Sequence, residues 1–154
     1  MCRFRLTPDA ISAPSPRLDD LASAAVTRAR QSLGRTAEEL VAHRLAARGW
    51  RVVARNARIR TEEIAGELDI VALEGRTLVF VEVKAATSGR ASGPELPALA
   101  VGRRKRLRLR RLAVAWLADR SPLPARDAIR FDVIGVSLAR DGRLVDYDHL
   151  RNAF

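Results

Sequence analysis

The chain has 154 residues, 47% of them hydrophobic, which is enough for one domain with its own core and no metal or disulfide staple. Its 28 Lys and Arg against 18 Asp and Glu leave a net charge of +10, which points to polyanionic partners. Cys2 is the only cysteine, excluding a disulfide framework and a cysteine-rich zinc site, and no run of about 18 apolar residues exists to form a membrane-spanning helix.

Residues 1 to about 17 are rich in Pro, Ser and Arg and have no period, so they are expected to be a mobile extension. Thr7, Pro8, Asp9, Ser12, Pro14, Ser15 and Pro16 interrupt any signal-peptide core, and Asp9, Asp19 and Asp20 argue against an organelle presequence. A cytoplasmic location is the expectation. We divide the chain into a flexible or partly helical extension, 1–31, and a domain, 32–154. Helix can begin as early as Asp19. The clearer helix runs from Thr36 to Arg48, with Thr36 and Glu39 at capping-box spacing, Ala37, Leu40, Val41 and Leu45 as its apolar stripe, and Gly49 as a stop.

Three strands follow, Trp50 to Ile59, Glu67 to Leu73 and Thr77 to Lys84, rich in β-branched and bulky apolar residues. Ser88 to Pro97, with Gly89, Gly93, Pro94 and Pro97, predicts a loop. A second helix spans Leu99 to Ala118, with Leu109, Leu112, Ala113, Trp116 and Leu117 facing the core. Strands at Ala128 to Val136 and Arg143 to Tyr147, joined by an Asp141-Gly142 turn, complete the pattern. The order α-β-β-β-α-β-β predicts an α/β domain, a mixed sheet of about five strands flanked by helices.

The chemistry concentrates in GELDIVALEGRTLVFVEVK, residues 66 to 84, where acids and a lysine interrupt two core-like strands. Buried charges are costly unless paired or metal-bound. Strand alternation puts Glu67 with Asp69, and Glu82 with Lys84. A turn of two or four residues around Glu74, Gly75 and Arg76 places Asp69 beside Phe80 or Glu82, on the face of Glu82 and Lys84. A three-residue turn separates them. In the first case Asp69 and Glu82 can share Mg²⁺ or Mn²⁺, with Glu38 on the first helix as third ligand and Glu67 in reserve. Lys84 would orient the attacking water or neutralise developing charge. On the residues alone, a structural Asp69–Lys84 ion pair with a solvated Glu38 accounts for the pattern equally well.

RRKRLRLRR supplies Arg103, Arg104, Lys105, Arg106, Arg108, Arg110 and Arg111 within barely more than two helical turns, an expected nucleic-acid phosphate-binding surface. The alternative is a solvated flank partly neutralised by the acidic C-terminal segment. Aromatic residues, 5% of the chain, are too few for a base-stacking platform. Trp50 and Trp116 are expected in the core, and His43 and His149 lack the clustering of metal ligands. Arg130 and Asp132 are expected to pair at a strand end, with assistance to the site from Asp132 as a minor option.

Taken with LGRTAEELVAHRLAARGWRVVARN, GELDIVA, LVFVEVK, RRKRLRLRRLAVAWL, RFDV and NAF, residues 33 to 154 resemble the YraN-like family of uncharacterised proteins. That family is placed in the restriction-endonuclease-like, PD-(D/E)-x-K, superfamily and is distantly similar to archaeal Holliday-junction resolvases. The resemblance implies a Mg²⁺-dependent endonuclease acting on structured or branched DNA ahead of RNA. It implies Asp69 as the first acid of the pattern, Glu82 and Lys84 as its E-x-K, Glu38 as the helical acid and Lys105 at a basic position. Analogy with resolvase-like relatives extends the expectation to a homodimer. Ala85 and Ala86 depart from the usual Thr and Arg, and TEEIA at 61–65 resembles an insertion, so phosphate contact and substrate access can differ. A non-catalytic nucleic-acid-binding module and a basic RNA- or ribosome-associated factor are the alternatives carried forward.

Overall fold

The computed structural model describes residues 17–88, 101–120, 122 and 125–154; the expected extension before residue 17 and most of the 88–97 loop lie outside the described residues. Helix α1 spans Leu18–Ala47, followed by strands β1 (Arg51–Arg60), β2 (Ala65–Glu74) and β3 (Thr77–Thr87). Helix α2 (Arg103–Ala118) and strands β4 (Ala128–Leu138) and β5 (Leu144–Leu150) complete the expected order. The strands form one mixed sheet in the order β1-β2-β3-β4-β5. Only β3 and β4 run parallel, and that crossover is the one that contains α2.

The two helices bury opposite faces of the sheet. Ala37, Val41 and Leu45 of α1 pack with Ile70, Ala72, Val79, Val81, Ile134 and Val136. Leu109, Leu112, Ala113 and Trp116 of α2 pack with Leu68, Val71, Leu78, Phe80 and Val133. The central strand β3 is consequently buried on both sides from Leu78 to Glu82, and each large apolar side chain fully enclosed there contributes roughly 1.5–3 kcal/mol. Trp50 and Trp116 lie in these cores as expected.

Two expected helix starts are corrected. Thr36 does not cap a helix: α1 is already under way, running unbroken across residues 31 and 32, and the Thr36 hydroxyl donates back to the Ser32 carbonyl at 3.1 Å. The second helix begins at Arg103, because Gly102 takes an extended conformation, φ −67° and ψ 162°, as its N-cap, and the expected start at Leu99 lies outside the described residues. Gly49, with φ 84°, does end α1 and donates its N–H to the Ala46 carbonyl.

The β2–β3 hairpin has a two-residue turn, Gly75 and Arg76, between the paired Glu74 and Thr77, and Gly75 takes φ 57°. Pairing continues to Ile70 opposite Val81. The next step along each strand is therefore Asp69 and Glu82, the arrangement in which the sequence allowed a shared site. Residues 61–65, the expected insertion, supply the β1–β2 connection and the first residue of β2. Thr61 closes its turn by exchanging backbone and hydroxyl bonds with Ile64.

Candidate active site

Glu82 lies on the central strand β3, and only 3% of its side chain is exposed. One carboxylate oxygen, Oε1, receives both Lys84 Nζ at 2.8 Å and Lys105 Nζ at 3.3 Å. The other, Oε2, is buried and has no hydrogen-bond partner among the described residues. Two ammonium groups thus offset the charge from one side while a buried acceptor is left open on the other, and a buried acceptor without a partner is rare in folded proteins.

Asp69 is the facing acid. Its Oδ2 accepts the Val83 backbone N–H at 2.8 Å, which ties the carboxylate to β3. Burial and the neighbouring Glu82 charge push its carboxyl up to about 7, Glu38 adds to the rise, and the Val83 N–H and Lys105 oppose it. Such crowding of carboxylates is what a cation relieves.

The structure brings Asp69, Glu82, Lys84 and Lys105 together and sets Glu38 near enough to act on Asp69 electrostatically. It does not draw three acids onto one point: among the described residues no group of three His, Cys, Asp or Glu side chains stands at metal-holding distance. Glu38 and Glu67 are instead joined through Asn56, whose Nδ2 donates to Glu38 Oε2 and, at 3.2 Å, to Glu67 Oε1. Arg58 holds the remaining Glu67 oxygen at 3.2 Å. The donor chemistry fits a hard divalent ion, since oxygen ligands dominate and Glu82 Oε2 has no competing partner among the described residues.

Simple alternation along β2 fails at the site. Leu68 packs into the α2-side core, whereas Ile70 and Ala72 pack into the α1-side core. The shift falls at Asp69, which the register places opposite Asn56, a residue with φ 47°. Period two therefore does not hold unbroken between Leu68 and Ile70, the stretch that carries Asp69. Asn56 is a site residue that the sequence reading missed. Its signal was an asparagine within a strand, since Asn is depleted in strands and tolerates positive φ.

On α2 the six arginines are exposed and Lys105 is half-buried. Arg108 donates to the Ala65 carbonyl at 2.6 Å, Arg106 to the Val101 carbonyl at 2.8 Å, and Arg111 stands 4.0 Å from Glu63. Arg106 and Arg110 also lie over the Phe154 ring. Arg103 and Arg104 make no bond or ion pair among the described residues. Glu82 and Glu63 are the only carboxylates paired with α2 among those residues, so the C-terminal acids do not neutralise this helix.

Asp132 does not reach the site. It pairs in register with Val81, which puts its side chain on the sheet face opposite Glu82. Fully buried there, it accepts two bonds from Arg130, one from His149 Nε2 at 2.9 Å and one from the Asn152 N–H at 2.9 Å. The expected Arg130–Asp132 pair is thus part of a larger buried network that also enlists His149, while Trp50 lies against both Arg130 and His149.

The fold and site define an α/β protein with a mixed five-stranded sheet between two helices and an acid-and-lysine cluster where β2 and β3 meet the start of α2. Residues 37–136 match the model of the uncharacterised protein family UPF0102, and the chain belongs to that family. It is 47% identical over 128 residues to a UPF0102 protein of Parafrankia sp. strain EAN1pec, covering 82% of this chain and 99% of the relative. A UPF0102 protein of Streptomyces griseus is 47% identical over 123 residues, covering 80% and 96%. One from Geobacter metallireducens is 40% identical over 124 residues, covering 80% and 93%.

Proposed function

We propose that this protein is a divalent-metal-dependent endonuclease that hydrolyses phosphodiester bonds in structured or branched DNA. The observation that carries the reading is the Glu82 carboxylate, buried, with two lysines on one oxygen and, among the described residues, no partner on the other, next to an Asp69 that burial and charge have made reluctant to ionise. Asp69 and Glu82 would hold Mg²⁺ or Mn²⁺, with Glu38 as third acid. The ion would supply Lewis acidity toward the scissile phosphate and lower the pKa of a bound water.

The chain's own groups divide the remaining work. Lys84, fixed to Glu82, orients the attacking water or answers the negative charge that grows on the phosphate. Lys105 brings a second ammonium from α2 to the same place. Arg103 and Arg104, exposed two residues or fewer before Lys105, are available for the phosphates flanking the reacting one. The net charge of +10 accords with a nucleic-acid partner.

The test is a cleavage panel of branched, flapped, nicked and single-stranded DNA with structured RNA, in Mg²⁺, in Mn²⁺ and in chelator. Wild type is expected to cut a branched DNA only with metal, and Asp69→Ala and Lys84→Ala to lose about 10²-fold or more while still binding it. Binding without metal-dependent cleavage across the panel overturns the catalytic reading in favour of a non-catalytic binding module.

A further inference from the structure

Asn56 holds an unusual place. It lies within β1 but takes the left-handed conformation, φ 47°, where L-residues with a Cβ are disfavoured and Asn is among the least penalised. Its amide is spent on two carboxylates from different elements, Glu38 of α1 and Glu67 of β2. Asn56 stands opposite Asp69 in the β1–β2 register, which brings the Glu38 it holds into the neighbourhood of that acid, and Glu67 is itself anchored by Arg58. An exposed amide–carboxylate bond stabilises a fold by about as much as the left-handed backbone costs it. Net stability therefore gives little reason for the arrangement, whereas orientation gives a clear one.

We infer that Asn56 is a positioning residue, whose side-chain amide uses the anchored Glu67 as a brace to hold Glu38 toward Asp69, so that the helical acid is ready to join Asp69 and Glu82 around a divalent cation. The inference rests on the metal-site reading above. Groups that orient a metal's ligands typically affect its affinity by about 10–100-fold.

Calorimetric Mn²⁺ titration of the full chain, paired with melting of the metal-free protein, tests this. Asn56→Gly keeps positive φ accessible and deletes the amide; Asn56→Ala deletes the amide and adds backbone strain. Both variants are expected to bind Mn²⁺ about 10-fold more weakly, by equal factors, while only Asn56→Ala melts appreciably lower. In a Glu38→Gln background, Asn56→Gly should then have little further effect. If wild type binds Mn²⁺ and the variants bind as tightly or more tightly, the role of Asn56 is refuted and the metal site stands. A loss of affinity that follows the melting temperature, or persists undiminished without Glu38, also overturns it. If wild type binds no Mn²⁺, the site and the inference fall together.

Discussion

Replacing Asp69 by Asn removes a carboxylate whose ionised form the fold resists. An ordinary aspartate titrates at 3.8 and Asp69 at about 7, chiefly through burial and then through the charge of Glu82. At about 1.4 kcal/mol per pH unit the ionised group disfavours the metal-free native state by at most about 4 kcal/mol. Asparagine can still accept the Val83 N–H, but partial exposure and relaxation of the carboxylates reduce the gain, and we expect about 2 kcal/mol. The sign follows from a raised folded pKa: the stabilising contribution is complete below 3.8, is lost as pH rises through about 7, and stays lost above it. In chelator at about pH 8, Asp69→Asn should therefore melt roughly 4–8 °C above wild type, and the gap should close on acidification toward about pH 4. Added Mn²⁺ should raise the melting temperature of wild type and leave the variant unmoved. A variant that melts at or below wild type at the alkaline end, or a gap that ignores pH, refutes the account of a crowded acid pair.

Asp132 should behave in the opposite sense. Burial alone would raise its carboxyl, but the bonds from His149, Arg130 and the Asn152 N–H hold it at about 2, so its contribution is present above 3.8 and lost as pH falls through about 2. Asp132→Asn should lose about 3–5 kcal/mol in urea unfolding at neutral pH, because Arg130 and His149 lose a buried anion, and a loss under about 1 kcal/mol would show the network to be dispensable. Gly66 lies under α2, where an added Cβ would come within 2.9 Å of Leu112 Cδ1, so Gly66→Ala should destabilise by about 1–3 kcal/mol in the same assay. Unchanged stability would place α2 farther from β2. Arg103→Ala with Arg104→Ala should leave melting unchanged and reduce the slope of log affinity for duplex DNA against log salt by about 2, and an unaltered slope would remove these two arginines from the interface.

Much of the architecture was legible because it depends on local periodicity. The apolar stripe Ala37, Val41 and Leu45 and the run Leu109, Leu112, Ala113 and Trp116 both reach the cores the sequence predicts. The β-branched segments become the five strands, with ends displaced by a few residues where pairing continues into less apolar sequence. Capping was less legible: Thr36 and Glu39 have the spacing of a helix start, yet preceding helical residues already satisfy that backbone.

The residues alone determined that Asp69, Glu82 and Lys84 would be charged groups within core-like strands, and that Arg103 to Arg111 would form a dense basic helix, because composition and period are properties of neighbouring positions. Only the tertiary structure decided which hairpin parity holds, that Lys105 reaches Glu82 from α2, that Asn56 joins Glu38 to Glu67, and that Asp132 belongs to a separate network on the other face. Those outcomes depend on turn length, on one left-handed backbone and on contacts between elements distant in the chain. They are set when the sheet is packed between its helices, where desolvation and the proximity of like charges first act on these groups.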